Sequence, residues 1–296
     1  MIGPQDEAAR EPSGPAFADA VTFAFGDAAA GLYGLARLGL SPAGGSALAV
    51  LFAGPEPVAA IAQGAVELPP GAGFDALALG GLATSVEAPL ERWTVTMEGP
   101  EHGFELAFGA LGPPAELSGD EPAAREGGMQ GYEQLCAVTG VVRTGGSASE
   151  LRCLGQRGHN WGEPDWERIS SARTISAWPS EGPGLTLTAV RPAAADDHGA
   201  EAMWAALLDP AGARRIAGPR LSTTYDPDGR QRRAGLELWL EDEDDYPHRA
   251  SGRVLCGSSL DLGQLRLDCA FFGWSVEGRP AVGRYDILRR SSLHDQ

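Results

Sequence analysis

From residue 18 onward the chain reads as short runs in which apolar and polar residues alternate, each run closed by glycine, proline or aspartate. That period of two fits half-buried β-strands and leaves no room for long helices. Val21, Phe23 and Phe25 alternate with smaller residues, and the runs 32–40 and 46–54 follow as neighbours in a meander. The clearest hairpin has Trp93, Val95 and Met97 going out, a Gly-Pro turn, and Phe104, Leu106 and Phe108 coming back. In the second half, strand candidates cover 151–154, 173–178, 185–190, 202–208, 235–240, 253–257, 265–272 and 283–288. Turn-rich stretches such as Asp-Pro-Asp-Gly at 226–229 separate them. A weak helical period over 180–202 is spoiled by its glycines and prolines. Many short, evenly spaced strands predict an all-β sandwich or barrel.

The chain has 296 residues, enough for two domains of ordinary size. The two halves have similar length and style, without residue-level repetition. The small, polar stretch 145–149 marks the expected junction, giving domains at 16–148 and 149–293. The first fifteen residues are polar, carry Pro and Gly, and are expected to fray.

Charge narrows the partners. The net charge is −17, and all 23 basic residues are arginine. Such a chain repels phosphate backbones and anionic lipid, so no nucleic-acid partner is expected. The absence of lysine removes Schiff-base and P-loop chemistry. Cys136, Cys153, Cys256 and Cys269 form no C-x-x-C pair and no zinc spacing with histidine, so no metal site is expected and the thiols read as reduced strand residues. No leader is visible at the start, and the glycine-broken apolar stretch 31–62 cannot form a spanning helix. A cytoplasmic location without a transmembrane segment is the default expectation.

One segment stands apart. Between Cys153 and Trp178 the chain gathers Arg157, His159, the chain's single asparagine Asn160, Glu163, Asp165 and Glu167 among Trp161, Trp166 and Trp178. His159 and Trp161 are two apart, so on a strand they share a face, and a tryptophan there favours a barrel lumen. Histidine can serve as general acid or base. A tryptophan wall can stabilise a developing cation. A carboxylic acid held in an apolar cavity, Asp165 before Glu163, could donate a proton. The same residues also fit a purely structural role, with His159 bonding between the barrels and Asp165 pairing Arg157.

Other features read as ordinary. The acidic run 241–245 lacks the alternation of a calcium loop and fits a solvated hairpin tip, with His248 beyond it exposed. His102 lies in a hairpin turn, His198 in a polar loop and His294 in the tail. Arg173, Arg191, Arg253 and Arg284 are expected to point outward. Tyr33, Trp93, Tyr132 and Trp274 are candidate cavity walls by alternation.

Gly155, Arg157, His159, Trp161, Gly162, Asp165 and Trp166, followed by a strand ending at Trp178, resemble the mid-chain signature of the AttH-like and hydroxyneurosporene synthase (carotenoid hydratase) superfamily. Its members form two tandem lipocalin-like barrels and are related to tocopherol cyclases and lipocalin-like pericyclases. The resemblance implies two tandem antiparallel lipocalin-like (calycin) barrels here. The catalytic candidates are His159 as polar contact or base, Asn160 as a carbonyl-orienting donor and Asp165 as the acid, the last two read from the chemistry of the cluster itself. Substrate contacts would come from Arg157, Trp161, Trp166, Trp178, Thr186 and Thr188. The His-x-Trp pair of the hydratases is matched by His159 and Trp161. Their Tyr and Asp, two apart on the following strand, are replaced by Thr186 and Thr188, so any proton donor must come from elsewhere. The implied partner is a hydrophobic small molecule, converted by cyclisation, hydration, isomerisation or a pericyclic step without a redox cofactor. A non-enzymatic carrier of an apolar ligand is the alternative.

Overall fold

The computed structural model of the protein describes residues 2–195, 198–240 and 246–291. The acidic run 241–245 and His294 lie outside the described residues. Strands dominate. The first sheet holds β1 (Ala18–Asp27), β2 (Leu32–Ser41), β3 (Gly44–Ala53), β4 (Glu56–Val66), β5 (Ala78–Leu79) and β6 (Leu82–Ala88). It continues with β7 (Arg92–Met97), β8 (Gly103–Ala110), β9 (Ala115–Leu117), β10 (Met129–Thr144) and β11 (Ser147–Gly162). The second holds β12 (Ile169–Pro179), β13 (Gly184–Pro192), β14 (Ala202–Asp209) and β15 (Gly212–Tyr225). It ends with β16 (Gln231–Leu240), β17 (His248–Asp261), β18 (Leu265–Val276) and β19 (Arg279–Arg290).

Strands β12 to β19 close into an antiparallel barrel in sequence order, with β12 paired to β19. The first sheet runs β4-β3-β2-β1-β11-β10-β8-β7-β6-β5 and curls into a nearly closed barrel. The all-β architecture of two antiparallel barrels read from the sequence is therefore present. The boundary needs correction. Gly145 and Gly146, both at positive φ, form the tight turn of the β10–β11 hairpin, with Thr144 opposite Ser147. A Gly-Gly pair is the turn that matches strand twist, not a linker. The chain crosses from the first sheet to the second between Gly162 and Ile169, and β11 pairs with β1 and β10, so it belongs to the first barrel.

Alternation sorts each strand into two faces. One face of the first sheet fills its own lumen with Val21, Phe23, Phe25, Trp93, Phe104 and Phe108. The lumen of the second barrel holds Ile175, Leu187, Phe272, Trp274 and Tyr285. A third apolar cluster joins the barrels. Tyr33 and Phe52 pack on Phe271 with ring centroids 5.5 and 6.0 Å apart, beside Leu135, Trp178 and Leu208. Tyr33 is thus an inter-barrel residue rather than a cavity wall.

Two arginines expected outside are buried. Arg173 lies in the second barrel, bonded to Tyr285 Oη at 3.1 Å and Thr223 Oγ1 at 3.3 Å and paired with Glu201. Arg284 lies between the barrels, 3.6 Å from Glu133 and 3.5 Å from Asp286. Each is compensated by a carboxylate, the condition under which burying a guanidinium is tolerable.

That inter-barrel pair makes stability depend on pH. Burial raises the Asp286 carboxyl from 3.8 to about 6, against the pull of Arg284. Burial raises Glu133 in the same sense. The folded state therefore keeps protons that the unfolded chain releases, and the stability tied to them is present at low pH and lost as pH rises through about 6. Asp286→Asn carries no such proton. The unfolding free energy of the wild type relative to this variant, measured in urea, should fall by on the order of 1–3 kcal/mol between pH 4 and 6. A difference that stays level or rises contradicts the assignment.

Candidate active site

The site is built on β11. Arg157, His159 and Trp161 occupy alternate positions of this strand and share its inner face. Tyr132 of β10 stands opposite His159 on one side, and Val21 of β1 stands opposite it on the other. Around them the lumen is aromatic. Phe23 meets Trp93 at 5.4 Å and Phe108 at 5.2 Å between centroids.

His159 is wholly buried, 0% exposed. Its Nε2 lies 2.6 Å from Asp19 Oδ1, and its Nδ1 lies 3.0 Å from the Asp6 carbonyl oxygen. Both partners present oxygens. Making both bonds requires either that the ring donate from both nitrogens beside a carboxylate, or that Asp19 hold a proton. The second Asp19 oxygen accepts the Arg10 backbone N–H at 2.7 Å. Rings of Phe74, Tyr132 and Trp161 surround the imidazole at 5.3, 5.8 and 5.0 Å.

Beside this pair sits a buried carboxylate. Arg157 Nη2 donates to Glu7 Oε1 at 2.5 Å, Tyr132 Oη donates to the same oxygen at 2.8 Å, and Trp93 Nε1 donates to the other. The Arg157 guanidinium also lies 5.3 Å from the Trp93 ring centroid and 5.6 Å from that of Tyr132. Burial, with Glu7 adding to it, raises the Tyr132 phenol far above its usual range despite Arg157, so it remains a donor.

Glu7 arrives on the N-terminal arm, which does not fray as expected. A 3-10 turn, Pro4–Glu7, is fixed by Asp6 accepting the Gly3 N–H at 2.7 Å. The arm is then held by Arg10 over the Trp161 ring at 4.1 Å and by Ser13 bonded to Glu163. It lies across one end of the first barrel. His159 therefore faces aromatic rings and the arm, rather than an open apolar cavity. Concavities of about 530 and 310 Å³ lie elsewhere, one across β15–β18 and one beside Cys256 and Asp268, and neither is lined by this cluster.

The sequence cluster is divided by the fold. Arg157, His159 and Trp161 stay together. Asn160 projects from the opposite face of β11, over Gly131, because neighbours on a strand alternate. Asp165 is exposed on the link between sheets, its carboxylate accepting the Glu167 N–H at 2.9 Å. Trp166 is half-buried on the same link. Trp178 and Thr186 lie between the barrels, where Trp178 Nε1 donates to Gln156 Oε1 at 3.1 Å and Gln156 Nε2 reaches Thr186 Oγ1 at 3.2 Å. Thr188 follows on that face, half-buried. Asn160 and Asp165 are thus removed from the neighbourhood of His159.

Four partners went unread. Trp93 and Tyr132 carry an alternation signal as wall residues but no sign of their shared carboxylate. Asp19 shares the period-two face of Val21, Phe23 and Phe25, and an acid on that face was the available clue. Glu7 had none. The thiols offer no nucleophile: burial raises Cys136, Cys153 and Cys256 to about 12. Among the described residues, no cluster of three or more His, Cys, Asp or Glu could hold a metal ion, and no helix is long and apolar enough to cross a membrane.

The model of the family described as Domain of unknown function (DUF7064) matches residues 3–290. The chain belongs to this family. Within DUF7064 the match takes in the arm as well as both barrels. No curated protein matches the sequence. Solved structures do share the fold. An AttH-like protein from Nitrosomonas europaea is 14% identical with a TM-score of 0.67, over 97% of this chain and 93% of that one. CghA, solved with Sch210972, is 13% identical with a TM-score of 0.64, over 95% and 90%. Kievitone hydratase from Nectria haematococca is 11% identical with a TM-score of 0.57, over 93% and 89%. The tandem-barrel architecture implied by the His159–Trp166 signature is the one these proteins have.

Proposed function

We propose that this DUF7064 protein is a lipocalin-like enzyme of natural-product or isoprenoid metabolism. It converts a hydrophobic small molecule by cyclisation, hydration, isomerisation or a pericyclic step at the arm-covered end of the first barrel. The observation that carries this is the convergence of Asp19, Tyr132, Arg157 and His159, all buried, on one end of an aromatic lumen. A barrel that needed only stability would be served at least as well by apolar residues there. The shared fold of CghA and a hydratase supports the same class of chemistry.

Each residue has a role on this reading. Asp19 orients His159, and the pair can take up or deliver one proton. Tyr132 and Arg157 supply donors that hold an oxygen of the substrate and fix its orientation. Trp93, Phe23 and Phe108 shape the apolar part and keep water out. Substrate enters when the arm lifts. No step runs through a cofactor.

His159→Gln tests it, since glutamine retains a donor toward Asp19 but cannot transfer a proton near neutral pH. Apolar extracts of the host carrying wild type or variant are compared by untargeted mass spectrometry. One compound should accumulate in the variant, its wild-type counterpart being an isomer or one water heavier, with product down about 100-fold or more. Unchanged extracts from a folded variant would leave a carrier of apolar ligands as the better description.

A further inference from the structure

The arm has an odd anchor. From residue 2 to 16 the chain is exposed or half-exposed except at Glu7, which is 5% exposed. A strap that served only to cover the barrel would be cheapest to pin with a leucine, because burying a carboxylate carries a large desolvation cost. Here the pin is the charge itself. Its receptors, Trp93, Tyr132 and Arg157, come from β7, β10 and β11 and so belong to the barrel wall, not to the arm.

Glu7 also fills that set imperfectly. Arg157 reaches it through Nη2, while Arg157 Nε is buried and has no partner. A carboxylate approaching the guanidinium edge-on would engage both nitrogens, the geometry in which arginine binds carboxylates most strongly. On the Trp93 side of the donors the lumen is apolar, with the Phe23 ring 5.4 Å from Trp93 and Phe108 5.2 Å from Phe23.

We infer that Trp93, Tyr132 and Arg157 form a carboxylate-binding subsite, that Glu7 is its built-in occupant, and that the molecule displacing Glu7 is an apolar compound bearing a carboxylate. This names the substrate class for the site proposed above and rests on that proposal. Seating the acid group would release Glu7 and, with it, the arm that covers His159.

The test uses the full-length protein and two probes of matched chain, decanoate and decanol, with binding read by titration calorimetry. Glu7→Ala vacates the subsite. It should bind decanoate about tenfold or more tighter than wild type does, and in preference to decanol. Arg157→Met added to Glu7→Ala removes the charge without stranding a partner, and should erase the preference. Glu7→Gln, which keeps the shape of the side chain, provides the same comparison should Glu7→Ala fold poorly. If decanoate and decanol gain equally, the barrel accepts apolar chains but the carboxylate subsite is overturned. If neither probe binds the folded variants, the subsite and the first barrel as substrate chamber both fall.

Discussion

Arg157→Ala should destabilise the protein by about 3–5 kcal/mol, the range for removing one partner of a buried ion pair. The variant leaves the Glu7 carboxylate 5% exposed with only Tyr132 and Trp93 as donors. It also strips the cation from above the Trp93 and Tyr132 rings. The cost belongs to the stranded charge, so Glu7→Ala on top of Arg157→Ala should recover part of it. That coupling is the signature of a direct pair. Urea unfolding of the two single variants and the double gives the numbers. A loss below about 1 kcal/mol, or additivity of the two substitutions, would show that the pair is not buried as described.

Gly283→Ala should cost about 3 kcal/mol or more through a different mechanism. Pairing along the seam that closes the second barrel skips Ser176 and Ala177, between Ile175–Tyr285 and Trp178–Val282. A Cβ on Gly283 would run into the Ser176 carbonyl oxygen and come within 2.7 Å of the Ala177 Cα. Both obstacles are backbone, so no rotamer change relieves them, and overpacking of this kind falls at the high end of its usual range. Gly64 of β4 is the control, because a Cβ there meets nothing within 4 Å. Gly64→Ala should stay within about 0.5 kcal/mol of wild type. Equal melting temperatures for Gly283→Ala and Gly64→Ala would mean that β12 and β19 do not approach this closely.

Local chemistry explains what the sequence made legible. The period of two in β1, β7 and β8 was strong because each strand has one apolar face, and the Trp93–Phe108 hairpin register follows it. The same rule puts His159 and Trp161 on one face; carried one residue further it also sets Asn160 on the other face, against the catalytic role read for it beside His159. Strands β4 and β15 escaped notice because their exposed residues blur the alternation; β15 carries Arg214, Arg215 and Arg220 among its few apolar positions. Gly145-Gly146 reads as a junction in sequence because a tight turn and a linker share the same composition. The harder losses are non-local. Asp19 lies 140 residues from His159, and Glu7 lies 150 from Arg157. Nothing in a strand pattern says which distant acid a buried arginine will meet. A polar arm that reads as frayed is ordered by long-range contacts of this kind, from Glu7 to Arg157, Asp6 to His159, Arg10 to Trp161 and Ser13 to Glu163.

The most direct test of the site uses purified protein. An apolar extract from a host lacking the gene is incubated with wild type or with His159→Gln and followed by mass spectrometry. The expected result is that wild type consumes one carboxylate-bearing compound and yields an isomer or its one-water-heavier product, while the folded variant leaves it unchanged. Conversion by His159→Gln at the wild-type rate would contradict the placement of the chemistry at the arm-covered end of the first barrel.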